Sequence, residues 1–312
     1  MMHDHDENAL SPELFAPADS IQALEDAAQG SGLSFWQDTA RRLRSNKTAC
    51  ICMASVVILV AGSIIFPQIS GYTVSEQDLL NINLGFFSEG HLFGTDEIGR
   101  DMFTRVWYGT GISLTIAFSA VLIDLLIGAV YGGISGYTGG RVDEMMMRIV
   151  DIIIGIPQLI IVILLMVVMK PGIATIIIAY STVGWTGMAR LVRGQVLKLR
   201  GSEYVLASRL LGASPARIIA RDLLPNTLGI IIVELTLTIP SAIFTEAFLS
   251  YIGLGVQIPL ASLGTLASDG ASGFLLHPHL LMVPTVFLSA TMLTFNLLGD
   301  ALRDILDPRM RS

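Results

Sequence analysis

The sequence predicts an all-α membrane protein with six transmembrane helices, and three observations carry that reading. The chain is 52% hydrophobic and only 14% charged, with a mean hydropathy of +0.66, whereas soluble chains average about a quarter charged. Apolar windows near 20 residues, the length that crosses roughly 30 Å of hydrocarbon as a helix, recur at 48–67, 109–134, 146–169, 171–191, 227–252 and 280–301. The basic residues are distributed one-sidedly: 16 of the 19 Lys and Arg fall before span one, between spans two and three, from the end of span four to span five, and after span six. The positive-inside rule therefore places both termini in the cytoplasm.

Residues 1–47 are expected to form a cytoplasmic, acidic, disordered arm. It carries no Lys or Arg before Arg41 and no sustained apolar face. His3 and His5 alternate with Asp but define no fixed metal geometry. The first apolar run, 48–67, is long enough to span, so no cleaved signal peptide is expected. Its two cysteines, Cys50 and Cys52, point to different helix faces and read as inert thiols. Residues 68–108 form the extracytoplasmic segment, where the turn residues Gly94, Thr95 and Asp96 precede an expected short amphipathic helix. Taken alone, Arg100, Asp101 and Arg105 would meet lipid headgroups on that helix.

The core, 109–302, holds the other five spans. Glycines at 109, 111, 128, 132 and 133 permit close helix approach, and Pro157, Pro240 and Pro284 each remove a backbone hydrogen bond. Residues 303–312 form a cytoplasmic tail. Four acids lie inside spans: Asp124, Glu234, Glu246 and Asp300. Each is costly in hydrocarbon unless paired or wet, so Asp124, Glu234 and Glu246 are candidates for a translocation path, while Asp300 has a local partner in Arg303. His277 and His279 give two metal-type ligands with no third nearby, so no metal site is assigned.

Glu203–Asn226, EYVLASRLLGASPARIIARDLLPN, is a polar, basic, helix-forming island between apolar spans. It reads as two short helices joined by a bend. Gly212 ends the first, Ser214 caps the second, Pro215 occupies its first turn, Pro225 stops the pair, and Asn226 caps the following span. Arg209, Arg217 and Arg221 supply polar contacts, with Leu210, Leu211 and Ile218 as apolar anchors. On composition alone the pair could lie on anionic lipid instead.

This stretch resembles the "EAA" loop of ABC importer permeases, whose pattern is Glu-Ala-Ala, three residues, Gly, nine residues, Ile, any residue, Leu-Pro. Ala207, Gly212, Leu224 and Pro225 match it; Leu206, Ser208 and Asp222 depart from it. A second string, GTDEIGRD at Gly94–Asp101 followed by Arg105, resembles the C-type permease subunit of oligopeptide and dipeptide importers. Glu246–Pro259 and Phe295–Arg311 are similar to that subfamily too, with Leu263 standing where the family usually carries Trp. The likeness covers most of residues 85–312.

The resemblance implies a type I permease bundle in a bacterial cytoplasmic membrane, with Glu203–Asn226 as the coupling helix seated on a separate ATPase. It implies as partners a homologous B-type permease, two ATP-binding subunits, an extracytoplasmic peptide-binding protein and membrane lipid, and no nucleic acid. The chain has no Gly-rich phosphate loop ending in Lys and Ser or Thr. No cofactor is therefore expected on it, ATP and Mg belonging to the partner ATPases, and no catalysis of its own. Two other readings stand beside this one. The first is an ion-coupled secondary transporter using Asp124 and Glu234 as relays. The second is the same ABC architecture importing nickel complexes, haem or opines.

Overall fold

The computed structural model describes residues 35–306. Residues 1–34 of the expected acidic arm, with His3 and His5, and the tail beyond Leu306 lie outside the described residues, while the last part of that arm is not disordered but forms the helix Phe35–Ser45. Residues 1–42 and 43–312 form separate units, and the helical bundle belongs to the second. Among the described residues the regular structure is helical: α1 (Phe35–Ser45), α2 (Lys47–Ile69), α3 (Met102–Thr138), α4 (Gly140–Ile154), α5 (Gln158–Met169), α6 (Ile173–Leu199), α7 (Glu203–Leu210), α8 (Pro215–Tyr251), α9 (Leu263–Ser272) and α10 (His279–Leu306).

Four of these helices, α2, α3, α8 and α10, are long and apolar enough to cross a membrane. α4 and α5, bent by 75° relative to each other, pass the same test only when taken together as one broken span. The expected single span 146–169 is thus two helices, because Pro157 cannot donate to a helical ladder and instead starts α5 as its N-terminal cap. α6 has 27 residues and covers the expected span 171–191, but Ser181, Thr182, Thr186 and Arg190 along it reduce its apolarity. Length and apolarity alone therefore yield four spans, or five with the bent pair taken as one, and not six.

α3 is the central element, and it lies closest to α6. The reason is in the sequence: Gly128, Gly132 and Gly136 repeat every fourth residue and so share one face. A Cβ at Gly128 would overlap Met188, one at Gly132 the Ala189 carbonyl, and one at Gly136 the Arg193 carbonyl. The two backbones approach as closely as small-residue stripes allow. Around this contact, Trp107, Leu114, Val121, Tyr180, Ile239, Ile243 and Phe295 form the largest buried cluster, joining α3, α6, α8 and α10. The side chains left outward are apolar, for example Ile58 on α2, Leu126 on α3 and Val168 on α5, as a lipid-facing surface requires.

Candidate functional site

Three polar assemblies stand out from this apolar bundle. The first is the segment before α3. The expected short amphipathic helix is not there: the chain runs through turns and isolated bridges to Asp101 and enters the long α3 at Met102. Asp101 caps that helix, accepting from the Thr104 N–H at 2.7 Å and the Thr104 hydroxyl at 2.6 Å, and pairs with His91 Nδ1 at 2.8 Å. His91 stacks on Tyr72. Asp96 accepts from Arg100 Nε at 2.6 Å, and Arg105, 2% exposed, lies 3.6 Å from the same carboxylate. Arg100, Asp101 and Arg105 therefore face one another's segment and not lipid headgroups, since a charge buried beside a partner loses less than one left in hydrocarbon. Gly94 and Gly99 adopt φ of 76° and 77°, a left-handed conformation that favours glycine.

The second assembly is the Glu203–Asn226 loop. Gly212 has φ 79° and closes α7 with paired bonds: its N–H donates to Arg209 O and the Ala213 N–H to Ser208 O, both at 3.0 Å. This is the Schellman arrangement, which leaves few orphan carbonyls at a helix end. Ser214 Oγ accepts from the Arg217 N–H at 3.4 Å, and Pro215 opens α8. From there the structure differs from expectation. Pro225 does not stop the element and Asn226 does not cap a new one; α8 runs unbroken from Pro215 to Tyr251. The turn Ile218–Leu223 is π-helical. That wider turn makes room for the Pro225 ring and its missing donor, while Asn226 Nδ2 donates to Asp222 O at 2.6 Å.

Exposure then sorts the residues of this loop. Leu210 and Leu211 are each 88% exposed at its tip. Ala207, Arg209, Gly212, Ser214, Pro215, Arg217, Arg221 and Pro225 are also exposed, with the Arg209 guanidinium 5.3 Å from the Tyr137 ring. Leu224 is half-buried. Ile218 is fully buried among Val192, Val205, Leu223 and Ile231, so it anchors the loop to its own bundle and is no outward contact. Beneath the loop, Arg193 clasps Asp143 through two bonds of 2.8 and 2.6 Å, Ser135 adds a third at 2.5 Å, and Arg200 donates to Gly136 O at 3.3 Å. Sequence reasoning did not find this clasp; Asp143 and Arg193 are far apart in the chain and only the glycine-mediated contact of α3 with α6 brings them together.

The third assembly is a cleft of about 460 Å³ between α3, the α4–α5 break, α6 and α8. Asp124 and Glu234, two of the three acids expected on a path, both line it. Glu246 does not: it is fully buried elsewhere, accepting from Ser113 Oγ at 2.8 Å and Ser250 Oγ at 2.7 Å, and so ties α8 to α3. Asp300 and Arg303 are both exposed and no ion pair joins them, so their i, i+3 spacing makes no bridge. His277 and His279 have ring centroids 6.2 Å apart, His279 lying against Phe86.

Together, apolar spans, a bent helix pair and an exposed helical loop joined to a cleft-lining span define a membrane permease. The chain belongs to the family of binding-protein-dependent transport system inner membrane components, whose model matches residues 126–312; residues 34–85 match the N-terminal transmembrane domain of oligopeptide transport permease C. It is 52% identical to the dipeptide transport system permease protein DppC of Bacillus subtilis over 97% of this chain and 95% of that protein. It is 49% identical to the oligopeptide permease OppC of the same organism, over 97% of this chain and 99% of that protein. To OppC of Escherichia coli the identity is 39%, over 94% and 98%. Among solved structures, a chain of the inward-facing MetNI methionine ABC transporter superposes with a TM-score of 0.54 at 21% identity, covering 65% of this chain and 97% of that one. That likeness concerns the fold.

Proposed function

We propose that this chain is the C-type permease subunit of an ATP-driven peptide importer, forming half of the translocation path and receiving force through the Glu203–Asn226 loop. The observation that carries the reading is the Leu210–Leu211 tip. Two adjacent leucines, 88% exposed, sit on a rigid capped turn flanked by Arg209, Arg217 and Arg221. A soluble or lipid-facing surface does not need such a turn, whereas a partner groove does. The loop connects without a break to α8, whose Glu234, Thr238 and Ser241 line the cleft. Displacement at the tip is therefore delivered to the path wall.

In this reading α6 is the sixth span, both termini are cytoplasmic, and Ala207, Arg209, Leu210, Leu211, Gly212, Ser214, Pro215, Arg217, Arg221, Leu224 and Pro225 build the coupling surface. The partners are a B-type permease, two ATPase subunits and an extracytoplasmic peptide-binding protein. The names of the relatives, dipeptide and oligopeptide transport permeases, support peptide as cargo. ATP and Mg bind the ATPases, and this chain carries out no covalent chemistry.

The test is a mild-detergent pull-down of the tagged chain from its native membrane, repeated with Leu210→Asp. Recovery of a second permease and ATPases, with the ATPases lost from the mutant, supports the reading. Recovery of the chain alone, in a form that still transports, moves the assignment to ion-coupled transport. Neighbouring subunits that recognise nickel complexes, haem or opines would change the cargo and keep the architecture.

A further inference from the structure

Glu246 and Asp124 are both buried acids within spans, yet the protein treats them oppositely. Glu246 is satisfied by two serine hydroxyls. Asp124 is 2% exposed and neither carboxylate oxygen has a well-formed hydrogen bond; the Ser181 hydroxyl lies within reach of it but is directed to the Ala120 carbonyl at 3.2 Å. Asp124 lines the 460 Å³ cleft opposite α6, where a Cβ on Gly184 would overlap the carboxylate. The absence of a side chain at Gly184 is what leaves room for that acid. The cleft also receives Glu234, the hydroxyl-bearing Tyr180, Thr238 and Ser241, and Gln158, whose Nε2 is buried without a partner. Among the described residues, no Lys or Arg lines it. Its volume falls within the roughly 300–1,000 Å³ of small-molecule sites.

A cleft with two acids, several hydroxyls and no basic residue among those described offers acceptors and negative charge to whatever enters it. An unpaired buried carboxylate is costly, and the cost is relieved by a cation that brings its own donors. We propose that the cleft around Asp124 is a subsite for a primary ammonium group of the transported molecule. An ammonium supplies three donors and one positive charge, which Asp124, Glu234 and a neighbouring hydroxyl can accept. The proposal rests on the peptide-importer reading. Two sources carry this chemistry, the amino terminus of a peptide and a lysine side chain.

The reading and the subsite are tested separately. ATP-driven uptake of a free-amine tripeptide by the complete complex with its binding protein tests the reading; no uptake overturns it. Equilibrium dialysis of radiolabelled tripeptides against the purified permease–ATPase complex, without the binding protein, tests the subsite. Three ligands are compared: a free-amine tripeptide without lysine, its acetylated form, and an acetylated tripeptide containing lysine. The wild type is expected to hold the free-amine form at least about tenfold more tightly than the acetylated one, and Asp124→Asn to remove that preference. If the acetylated lysine peptide binds like the free-amine one, any ammonium is read; if it binds like the plain acetylated form, the amino terminus is read. Should Asp124→Asn fail to assemble with the ATPases, Glu234→Gln on the other wall is used and is expected to reduce the same preference. No preference in the wild type, no binding at all, or equal loss for amine and acetylated forms in the assembled variant would overturn the subsite.

Discussion

The two ends of α3 are finished in opposite ways. At one end, the irregular segment 70–101 and the first turn of α3 pair several of their charged groups with one another: Asp101 with Thr104 and His91, Asp96 with Arg100, and the Arg105 guanidinium in part with the Val74 carbonyl at 3.2 Å. At the other end, near Tyr137, the Glu203–Asn226 loop is helical on both sides of the Gly212 turn, with Ser214 capping the second helix, and its Leu210 and Leu211 face outward. The irregular end pairs its arginines within itself yet leaves Leu80 93% and Phe87 80% exposed, whereas at the regular end the exposed Leu210 and Leu211 are flanked by exposed Arg217 and Arg221. Exposed apolar side chains are therefore common to both ends, and the outward cations beside them are what set the regular end apart.

That contrast can be broken most severely by Gly212→Pro. Proline fixes φ near −65°, against the φ of 79° found here, and removes the donor to Arg209 O. We expect uptake to be abolished while the chain still inserts in the membrane, checked by transport assay and membrane fractionation; normal uptake would end the coupling role of the loop. Next, Leu211→Asp should weaken capture of the ATPases at least about 30-fold, the hot-spot scale. Its effect on the chain's own stability should stay within about 0.5 kcal/mol. A matching fall in melting temperature would show that the tip belongs to the core after all.

Asp101→Ala should do the reverse, leaving ATPase capture intact and destabilising the chain. Loss of the cap costs about 1 kcal/mol, and the stranded His91 adds roughly 1–3 kcal/mol, readable by thermal unfolding in detergent. The smallest effect concerns Asp78. Its carboxyl is held below the usual carboxylate range by the Asn81 side-chain amide, 2.9 Å away, and by the Leu80 N–H. A depressed acid contributes stability above its unfolded pKa and loses it as pH falls through the folded value. Asn81→Ala should therefore lower stability slightly at neutral pH, where the contribution is present, leave stability at strongly acidic pH unchanged, and so flatten the acid limb of the thermal-unfolding profile against pH.

Much of this was legible from local chemistry. Gly212, Ser214 and Pro215 announce their turn because each residue type fits one backbone state, and 20-residue apolar windows announce spans. What was not legible depends on tertiary context. Pro225 reads as a stop, yet the π-helical turn Ile218–Leu223 accommodates it. Ile218 reads as an outward anchor, yet the unbroken α8 turns it into the cluster with Val192 and Ile231. Arg100 and Arg105 read as interfacial, because nothing local reveals that Asp96 sits between them. Asp124 and Glu234 shared a sequence argument with Glu246, and only packing separates the cleft pair from the satisfied one.

The unbroken α8 spans 37 residues, about 55 Å at 1.5 Å per residue, and this makes the length of its first turns a matter of screw phase. Each residue advances a helix by about 100°, so Arg217 and Glu234 hold a fixed angular relation as well as a fixed distance. One residue inserted between them would swing the cleft wall by about 100° relative to the docking end, without disturbing either site locally. Grafting this loop between related permeases should therefore tolerate changes of residue type far better than changes of residue count.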